Sequence, residues 1–481
     1  LVSEELHQAL EGRLMSETAG TLQVKGIAAP VSAWRVIALR DVDTERGPFV
    51  GRQTELRQFR SILDACSDNA TGHVIALRGE AGMGKTRIGE EFQHIAETEG
   101  FACHRGLVLD FGAESGRDAV RAIIRDMLGV DLRAAGDTVH RAVDDALTRG
   151  IIAADLQAHL YDLLDASQPD HLRADYDALD NQHRQKGRGL AVAQILQWMS
   201  ERTPRLLFVE DVHWATPSLL EILGQVGQAI RECPIVLIIS SRIDNDPLDR
   251  SWRASVVGTS FTTIDLNPLR VDEAQAVCRM VTDDPATIER LVSRADGNPL
   301  FLEQLLRHSR ESEASDVPGS IRSLVQASID QLSPADKTAI QAASVIGQRV
   351  DPDLVCHLID DTGFDFDSLV ERNMLRFESQ SYLFAHALIR DVVYGSLLTP
   401  TRIALHRRAA VWFEESELGL SAEHLALVGS PEAHSAFLAA ARHEIGRYHF
   451  DSALALIERG LQLAEDPTDR VALCLLAGDT W

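Results

Sequence analysis

Short apolar runs alternating with amphipathic stretches mark the chain from Phe49 to about Phe261. The runs His73–Leu77, Gly106–Leu109, Leu206–Val209 and Ile235–Ile239 are too short for helices and are bounded by polar segments. Continuous apolar runs of this kind are how a strand buried on both faces reads. Between the second and third run, residues 115–200 carry apolar positions at helical spacing, such as Ile123, Met127, Leu128 and Leu132. A connection that long must contain helices of its own. The rhythm predicts a parallel α/β sheet.

From Asn267 to about Ser315 the pattern is helical throughout, in "VDEAQAVCRMV" and "ATIERLVSRADGNPLFLEQLLRHS". The next stretch, "SIRSLVQASIDQLSPADKTAIQAASVIG", predicts two helices divided at Ser333-Pro334. "DPDLVCHLI", "FDSLVERNML" and a hairpin-like "LRFESQSYLFAH" follow, and helix, helix, helix, hairpin is the order of a winged helix. After a helical stretch at Ile403–Phe413, Ala/Leu-rich helices run on to "LCLLAGDTW". At the other end, "TLQVKGIAAPVSAWRVIALR" reads as two strand-like pieces around a Gly26–Pro30 turn. That is too little to bury a core, so an incomplete domain, begun upstream, is expected there. The expected organisation is 1–40 as this remnant, 41–266 as the α/β domain, 267–316 as a helical lid, 317–400 as a winged helix and 401–481 as repeat-like helices.

Composition changes this picture in four places. Aromatics are only 5%, so the cores rest on Leu, Val, Ile and Ala. The net charge of −25 repels phosphate backbones and anionic lipids, which argues against a general nucleic-acid or membrane-surface role. The longest strongly apolar run, Ile235–Ile239, cannot span a bilayer, and the acidic N-terminus lacks a signal pattern. The six cysteines are scattered without a C-x-x-C pair, suggesting neither zinc nor a disulfide framework. A cytoplasmic setting is the expectation.

The candidate chemistry begins with "RGEAGMGKTR". Gly79, Gly84, Lys85 and Thr86 stand at the places of G-x-x-x-x-G-K-T, after an apolar run and before a helix-like stretch. Glycines let successive backbone N–H groups, from Gly79 through Glu80, Ala81, Gly82, Met83 and Gly84 to Arg87, converge on phosphate oxygens. Lys85 supplies a point charge to the β- and γ-phosphates, and the Thr86 hydroxyl can take a place on Mg²⁺. Only four lysines occur among 47 basic residues, so one retained here is informative, because Arg cannot enter that loop.

"RLLFVEDVHWAT" predicts a buried strand ending in Glu210 and Asp211. A carboxylate there can hold the Mg²⁺ water shell while its neighbour polarises the attacking water. Such strands usually place Asp first; here Glu210 occupies that slot. Either Glu210 reaches the metal through water, or Asp211 takes it and no dedicated base remains. Arg242, ending "IVLIISSRI", is placed to sense the γ-phosphate. In "RADGNPLFLEQLL", Pro299 offers a rigid apolar wedge to a base. The cluster Arg184–Arg188 reads as a solvated helix end. His386 by itself reads as a packed hairpin histidine.

Taken together, these elements resemble the signal-transduction ATPases with numerous domains, the STAND class of P-loop ATPases. The sub-type resembled is joined to class III adenylate/guanylate cyclase domains in bacterial regulators. "FVGR" (Val50, Gly51 and Arg52) looks like the adenine-side box, "GEAGMGKT" the phosphate loop, "FVEDVHWAT" the metal strand and "SSR" the sensor arginine. "DGNPLFLEQLL" looks like the lid motif, which implies that Pro299 approaches adenine. "FAHALIRDVVYGSLL" resembles the winged-helix signature, which implies that His386 approaches the β-phosphate of ADP.

The first 40 residues are similar to the last strands of a cyclase catalytic domain, whose active-site residues would lie upstream. The C-terminus resembles tetratricopeptide repeats, with Ala441, Phe450, Ala453, Ile457, Gly460 and Pro467 at repeat-like spacing. The resemblance implies ATP or ADP and Mg²⁺ as ligands and slow hydrolysis. It also implies an attached cyclase and a protein partner on the repeats, and it is compatible with a homo-oligomer. Two other readings stand beside it: a nucleotide-binding scaffold without turnover, and a winged-helix DNA-binding regulator. Against the latter, the recognition-like segment Phe366–Leu375 carries two acids and one arginine, poor chemistry for a major groove.

Overall fold

A computed structural model describes residues 2–3, 14–22, 31–39, 49–108, 119–131, 134, 136–244, 246–311, 320–378, 381–447, 450–464 and 466–480. The chain divides into two compact units, Leu1–Gly51 and Arg52–Trp481.

In the first unit, strands β1 (Val2–Ser3), β2 (Leu14–Leu22) and β3 (Val31–Leu39) form an antiparallel sheet in the order β1-β3-β2. Strand β2 begins well before the strand-like piece expected from Thr21, because cross-strand pairing with β3, not apolar content, defines it. The Gly26–Pro30 turn lies outside the described residues.

The second unit is built on β4 (His73–Gly79), β5 (Ala102–Leu107), β6 (Arg205–Glu210), β7 (Ile235–Ser241) and β8 (Ser260–Leu266). They form one parallel sheet in the order β5-β6-β7-β4-β8. The three inner strands are the continuous apolar runs of the sequence, and β7 is buried along its whole length. Differences fall at the edges. Strand β5 runs Ala102–Leu107, not Gly106–Leu109, and β8 had no apolar run to announce it. An edge strand pairs on one side only and tolerates the polar residues that hide it: Cys103, His104 and Arg105 in β5, Thr262 and Asp265 in β8.

Helix Lys85–Thr98 follows β4 and lies against β6 because Gly89 has no side chain. A Cβ there would meet Phe208 at 2.3 Å. Phe92 on the same helix stacks on Phe59 of helix Gln53–Asn69, with ring centroids 4.2 Å apart. These contacts hold the turn between β4 and the helix rigidly over the sheet's C-terminal edge. The long β5-to-β6 connection carries helices Ala119–Met127, Asp137–Thr148, Gln157–Leu163, Asp170–Asp177 and Asn181–Ser200. Arg184 in the last of these is only 2% exposed, with its guanidinium over the rings of Tyr176 and Phe450. The solvated helix end expected at Arg184–Arg188 is therefore not what forms. Cation–π packing against Phe450 of the C-terminal helices covers Arg184 instead.

Helices Val271–Arg279, Pro285–Ala295 and Pro299–Glu311 share a small core around Leu291, Leu302 and Leu305. Beyond them, β9 (Arg349–Val350), β10 (Leu375–Glu378) and β11 (Ser381–Phe384) form an antiparallel sheet in the order β10-β11-β9. It packs with helices that include Pro334–Ile346 and Pro352–Ile359 around Ile340, Leu354 and Leu369. Helices Thr399–Phe413, Leu418–Leu427, Ala433–Gly446, Phe450–Leu463 and Pro467–Thr480 then stack in succession. Gly460 permits that stacking, since a Cβ there would sit 3.2 Å from both Leu473 and Phe437. Among the described residues, no helix is long and apolar enough to cross a membrane.

Where this stack begins, His406 and His424 are buried with their Nδ1 atoms 2.8 Å apart, and Tyr394 Oη lies 2.9 Å from His406 Nε2. Burial, with Arg402 and Arg390 nearby, holds His406 down to about 4; burial and His406 hold His424 down to about 3. Unfolded histidines take up protons near 6.5, so the unfolded state gains protons first as the pH falls. The stability these two residues permit is complete above about pH 6.5 and is lost through the window down to about 4 for His406 and about 3 for His424. Each histidine then costs up to about 1.4 kcal/mol per pH unit. Denaturant titrations at pH 7.5 and 5 should show this loss, with a shallower slope in His406→Gln/His424→Gln.

Candidate active site

The loop after β4 turns through Gly82 at φ 82° and Gly84 at φ 83°, conformations that any side chain would strain. Gly82 is also crowded: a Cβ would lie 3.0 Å from Asn298 Oδ1. Lys85, the first residue of its helix, folds back so that Nζ donates to the carbonyls of Gly79 (2.8 Å) and Glu80 (3.2 Å). Thr86 and Arg87 follow in the first helical turn, with Arg87 Nη1 3.9 Å from Glu90. Ala81 is exposed at the loop's tip and Met83 is half-buried.

Because β7 lies between β4 and β6, the acidic strand end faces the loop across one strand. Asp211 sits in the left-handed region at φ 57°, and its N–H donates to Ser240 Oγ of β7 at 3.0 Å. Arg242, just past β7, stands with its guanidinium 5.8 Å from the centre of the Trp214 ring. Asp211, Lys85 and Arg242 share one field. Burial pushes the Asp211 carboxyl up to about 6, as does neighbouring Glu210, against the pull of Lys85, Arg242 and Arg105. Burial lowers Lys85, with Arg242 adding to the effect and Asp211, Glu80 and Glu210 opposing it.

Glu210 takes a different environment. Its carboxylate is 2% exposed and is held by both Nε and Nη2 of Arg105 on β5. His213, in the turn Val212–Trp214, lies with Nδ1 3.9 Å from Asp211 Oδ1. Burial, then Arg242 and Lys85, hold its imidazole down to about 4, so the ring is neutral at pH 7. Neither of its ring nitrogens has a hydrogen-bond partner among the described residues. Buried polar atoms of that kind ask for a polar occupant beside them. A positively charged, glycine-turned loop at a helix N-terminus, a carboxyl raised toward neutral pH and an unsatisfied imidazole suit a phosphorylated ligand with a hydrated metal ion. Among the described residues no separate His/Cys/Asp/Glu cluster could hold a metal.

The lid helices reach the same loop. Gly297, at φ 72°, lets the chain turn so that Leu269 N donates to its carbonyl (2.7 Å) and Leu300 N donates to Gly82 O (3.3 Å). Pro299, half-buried, stands between Asn298 and Leu300 at the start of its helix. Arg52, buried at φ 58°, donates from Nη2 to Met83 O (3.3 Å), and its N–H donates to Glu273 Oε1 (2.9 Å). Val50 and Gly51 belong to the first unit, where Gly51 takes φ 81°. His386, at the start of helix Ala387–Ser396, places Nε2 3.9 Å from Glu303 Oε2 on the lid helix. Burial lowers its pKa, with Arg376 and Arg307 acting in the same sense against Glu303 and Glu90.

Sequence reasoning missed Glu273, Arg105 and His213 as participants. The first had a detectable signal, the Glu three residues after a helix start that caps backbone N–H groups. Arg105 had none, since it lies ahead of the apolar run, Gly106–Leu109, that marked its strand.

Residues 48–239 match the family described as the AAA ATPase domain. The chain is 26% identical over 534 aligned residues to an uncharacterized protein, R02095, of Rhizobium meliloti (strain 1021). That match covers 99% of this chain and 50% of the relative, so the chain spans about half the relative's length. Among solved structures, it is similar to a STAND protein with a tetratricopeptide repeat sensor, PH0952 from Pyrococcus horikoshii. There the TM-score is 0.50 and the identity 16%, over 90% of this chain and 61% of that one. The Aeropyrum pernix ORC1 protein, solved with DNA, matches at a TM-score of 0.35 and 11% identity, over 73% of this chain and 93% of that one. Residues 48–239 thus match an AAA ATPase domain on a P-loop fold, and the chain's fold is like that of the Pyrococcus protein.

Glu273 accepts from two backbone N–H groups, those of Arg52 and Arg270 (both 2.9 Å). Glu273→Ala should cost about 1–3 kcal/mol in denaturant unfolding by orphaning the buried Arg52 N–H, whereas Glu273→Gln, whose one amide oxygen can accept from only one of the two N–H groups, should fall between Ala and the unaltered chain.

Proposed function

We propose that this chain is an ATP-binding signalling switch that hydrolyses ATP slowly and controls an attached nucleotide cyclase. The observation that carries the reading is the convergence of Lys85, Asp211 and Arg242 on one edge of the sheet, with the lid bonded to Gly82. Lys85 Nζ would exchange the Gly79 and Glu80 carbonyls for phosphate oxygens, a charge-assisted and therefore stronger pairing. The N–H groups of residues 79–87 would cradle the β-phosphate, and Arg242 would meet charge developing on the γ-phosphate. Thr86 and Asp211 are the residues that would hold Mg²⁺, which supplies charge neutralisation across the phosphates.

Arg105 engages Glu210, so the metal role falls to Asp211. The attacking water is then left to be oriented by His213 and Asp211 with no dedicated ionised base, which accounts for slow turnover. Pro299 would lie against adenine, with Val50, Gly51 and Arg52 supplying the adenine-side box. His386 would approach the β-phosphate of ADP, so that β9–β11 and their helices act as a winged helix closing over the diphosphate. ADP would favour this closed packing, ATP with Mg²⁺ an open one. The output would pass to a cyclase of which the first 40 residues are the end. The C-terminal helices would take up a protein partner, as the name of the Pyrococcus protein's repeat sensor suggests. A cytoplasmic setting fits these roles, and a homo-oligomer is compatible with them.

A second reading, a nucleotide-binding scaffold without turnover, is favoured by the burial of Glu210 under Arg105. Phosphate release separates the two. Steady release above background that Asp211→Asn removes supports the switch, and release at background in the unaltered chain supports the scaffold. Titration calorimetry tests what both share: Lys85→Ala should reduce ATP binding below detection, and binding as tight as in the unaltered chain would refute the nucleotide site.

A further inference from the structure

Arg105 does more than cover Glu210. Its Nη1 lies 3.9 Å from Glu90 Oε1, on the helix that carries Lys85. The same Glu90 oxygen accepts from Arg376 Nη1 at 2.9 Å, and Arg376 belongs to β10 of the small three-stranded domain. Arg376 Nη2 lies 3.7 Å from Glu378 on the same strand. Glu210, Arg105, Glu90 and Arg376 therefore form an alternating ionic line from the acidic strand end to the small domain. Its members are 2%, 21%, 22% and 29% exposed, so water and salt screen it far less than a surface pair.

We propose that this line couples the docking of the small domain to the nucleotide site, with Glu90 as the residue that reads docking and Arg105 as the positioning residue that relays it. The inference rests on the switch reading of the site. With the small domain docked, Arg376 holds Glu90 at 2.9 Å and Arg105 rests chiefly on Glu210. With it undocked, Glu90 loses its closest cation. The next nearest, Arg105 and Arg87, each stand 3.9 Å away. Glu90 then draws on Arg105, whose grip on Glu210 loosens, and a carboxylate that was neutralised becomes available beside Asp211. The small domain thus holds the site in its retaining state through charge as well as through contact.

The test is the dissociation rate of N-methylanthraniloyl-ADP from the full chain, followed by stopped flow. Arg376→Ala and Glu90→Gln should each speed release at least about fivefold, the low end of a typical coupling between sites. The double variant should release no faster than the faster single, because both changes break one line. Arg376→Lys should stay near the unaltered rate. Single variants with unchanged rates, or a double variant in which the two effects multiply, would overturn the coupling while leaving the nucleotide site standing. If the unaltered chain fails to bind the probe, the switch reading itself falls, and the coupling with it. As a readout independent of nucleotide, amide exchange across β10 and β11 in the free chain should rise in Arg376→Ala. Unchanged exchange there would also overturn the proposal.

Discussion

A parallel sheet directs the C-terminal ends of all its strands to one edge, where the carbonyl ends and following turns cannot pair further along the strand. In this protein the order β5-β6-β7-β4-β8 decides which turns become neighbours on that edge. Strand β7 separates the glycine turn after β4 from the acidic end of β6, and ends itself in Ser240 and Ser241, with Arg242 just beyond. That one-strand gap brings Lys85, Asp211 and Arg242 into a common field. Burial at that edge raises Asp211 and lowers Lys85, and the attraction between the two opposes both shifts. Were β4 and β6 adjacent, lysine and carboxylate would simply pair and neutralise each other.

The helices then protect the arrangement. Gly89 lets the Lys85 helix lie directly on Phe208, and the Phe59–Phe92 stack fixes the other side of it. Gly82 and Gly297 act through the backbone, since both adopt positive φ where the lid's Leu300 bonds the loop. The lid and the phosphate loop are in this way one hydrogen-bonded unit, with Arg52 and Glu273 as a second tie between the same two segments. Movement of the lid cannot leave the loop untouched.

The electrostatic asymmetry between adjacent Glu210 and Asp211 has a plain origin. Alternation along β6 turns their side chains apart, and the left-handed backbone at Asp211 turns it further toward the loop. Glu210 meets the edge strand β5 and its arginine; Asp211 meets the lysine and the neutral His213. Two neighbouring carboxylates thereby acquire separate surroundings, one ion-paired with Arg105, the other beside the lysine and a neutral imidazole.

Much of this was legible in the residues alone. The glycine-lysine-threonine loop, the buried strand ending in two acids and the sheet's inner strands all follow from local rules of spacing, burial and backbone conformation. These act over a few residues and do not depend on what lies opposite. The start of edge strand β5, edge strand β8, the burial of Arg184 and the pairing of Arg105 with Glu210 were not legible. Each depends on a partner remote in the chain or on pairing along one side of a strand, and neither leaves a local apolar period. Sequence determined which groups carry charge and which turns accept it. The tertiary structure alone decided which charges meet, because Coulomb energy depends on distance in space, and only the packed sheet and domains set that distance.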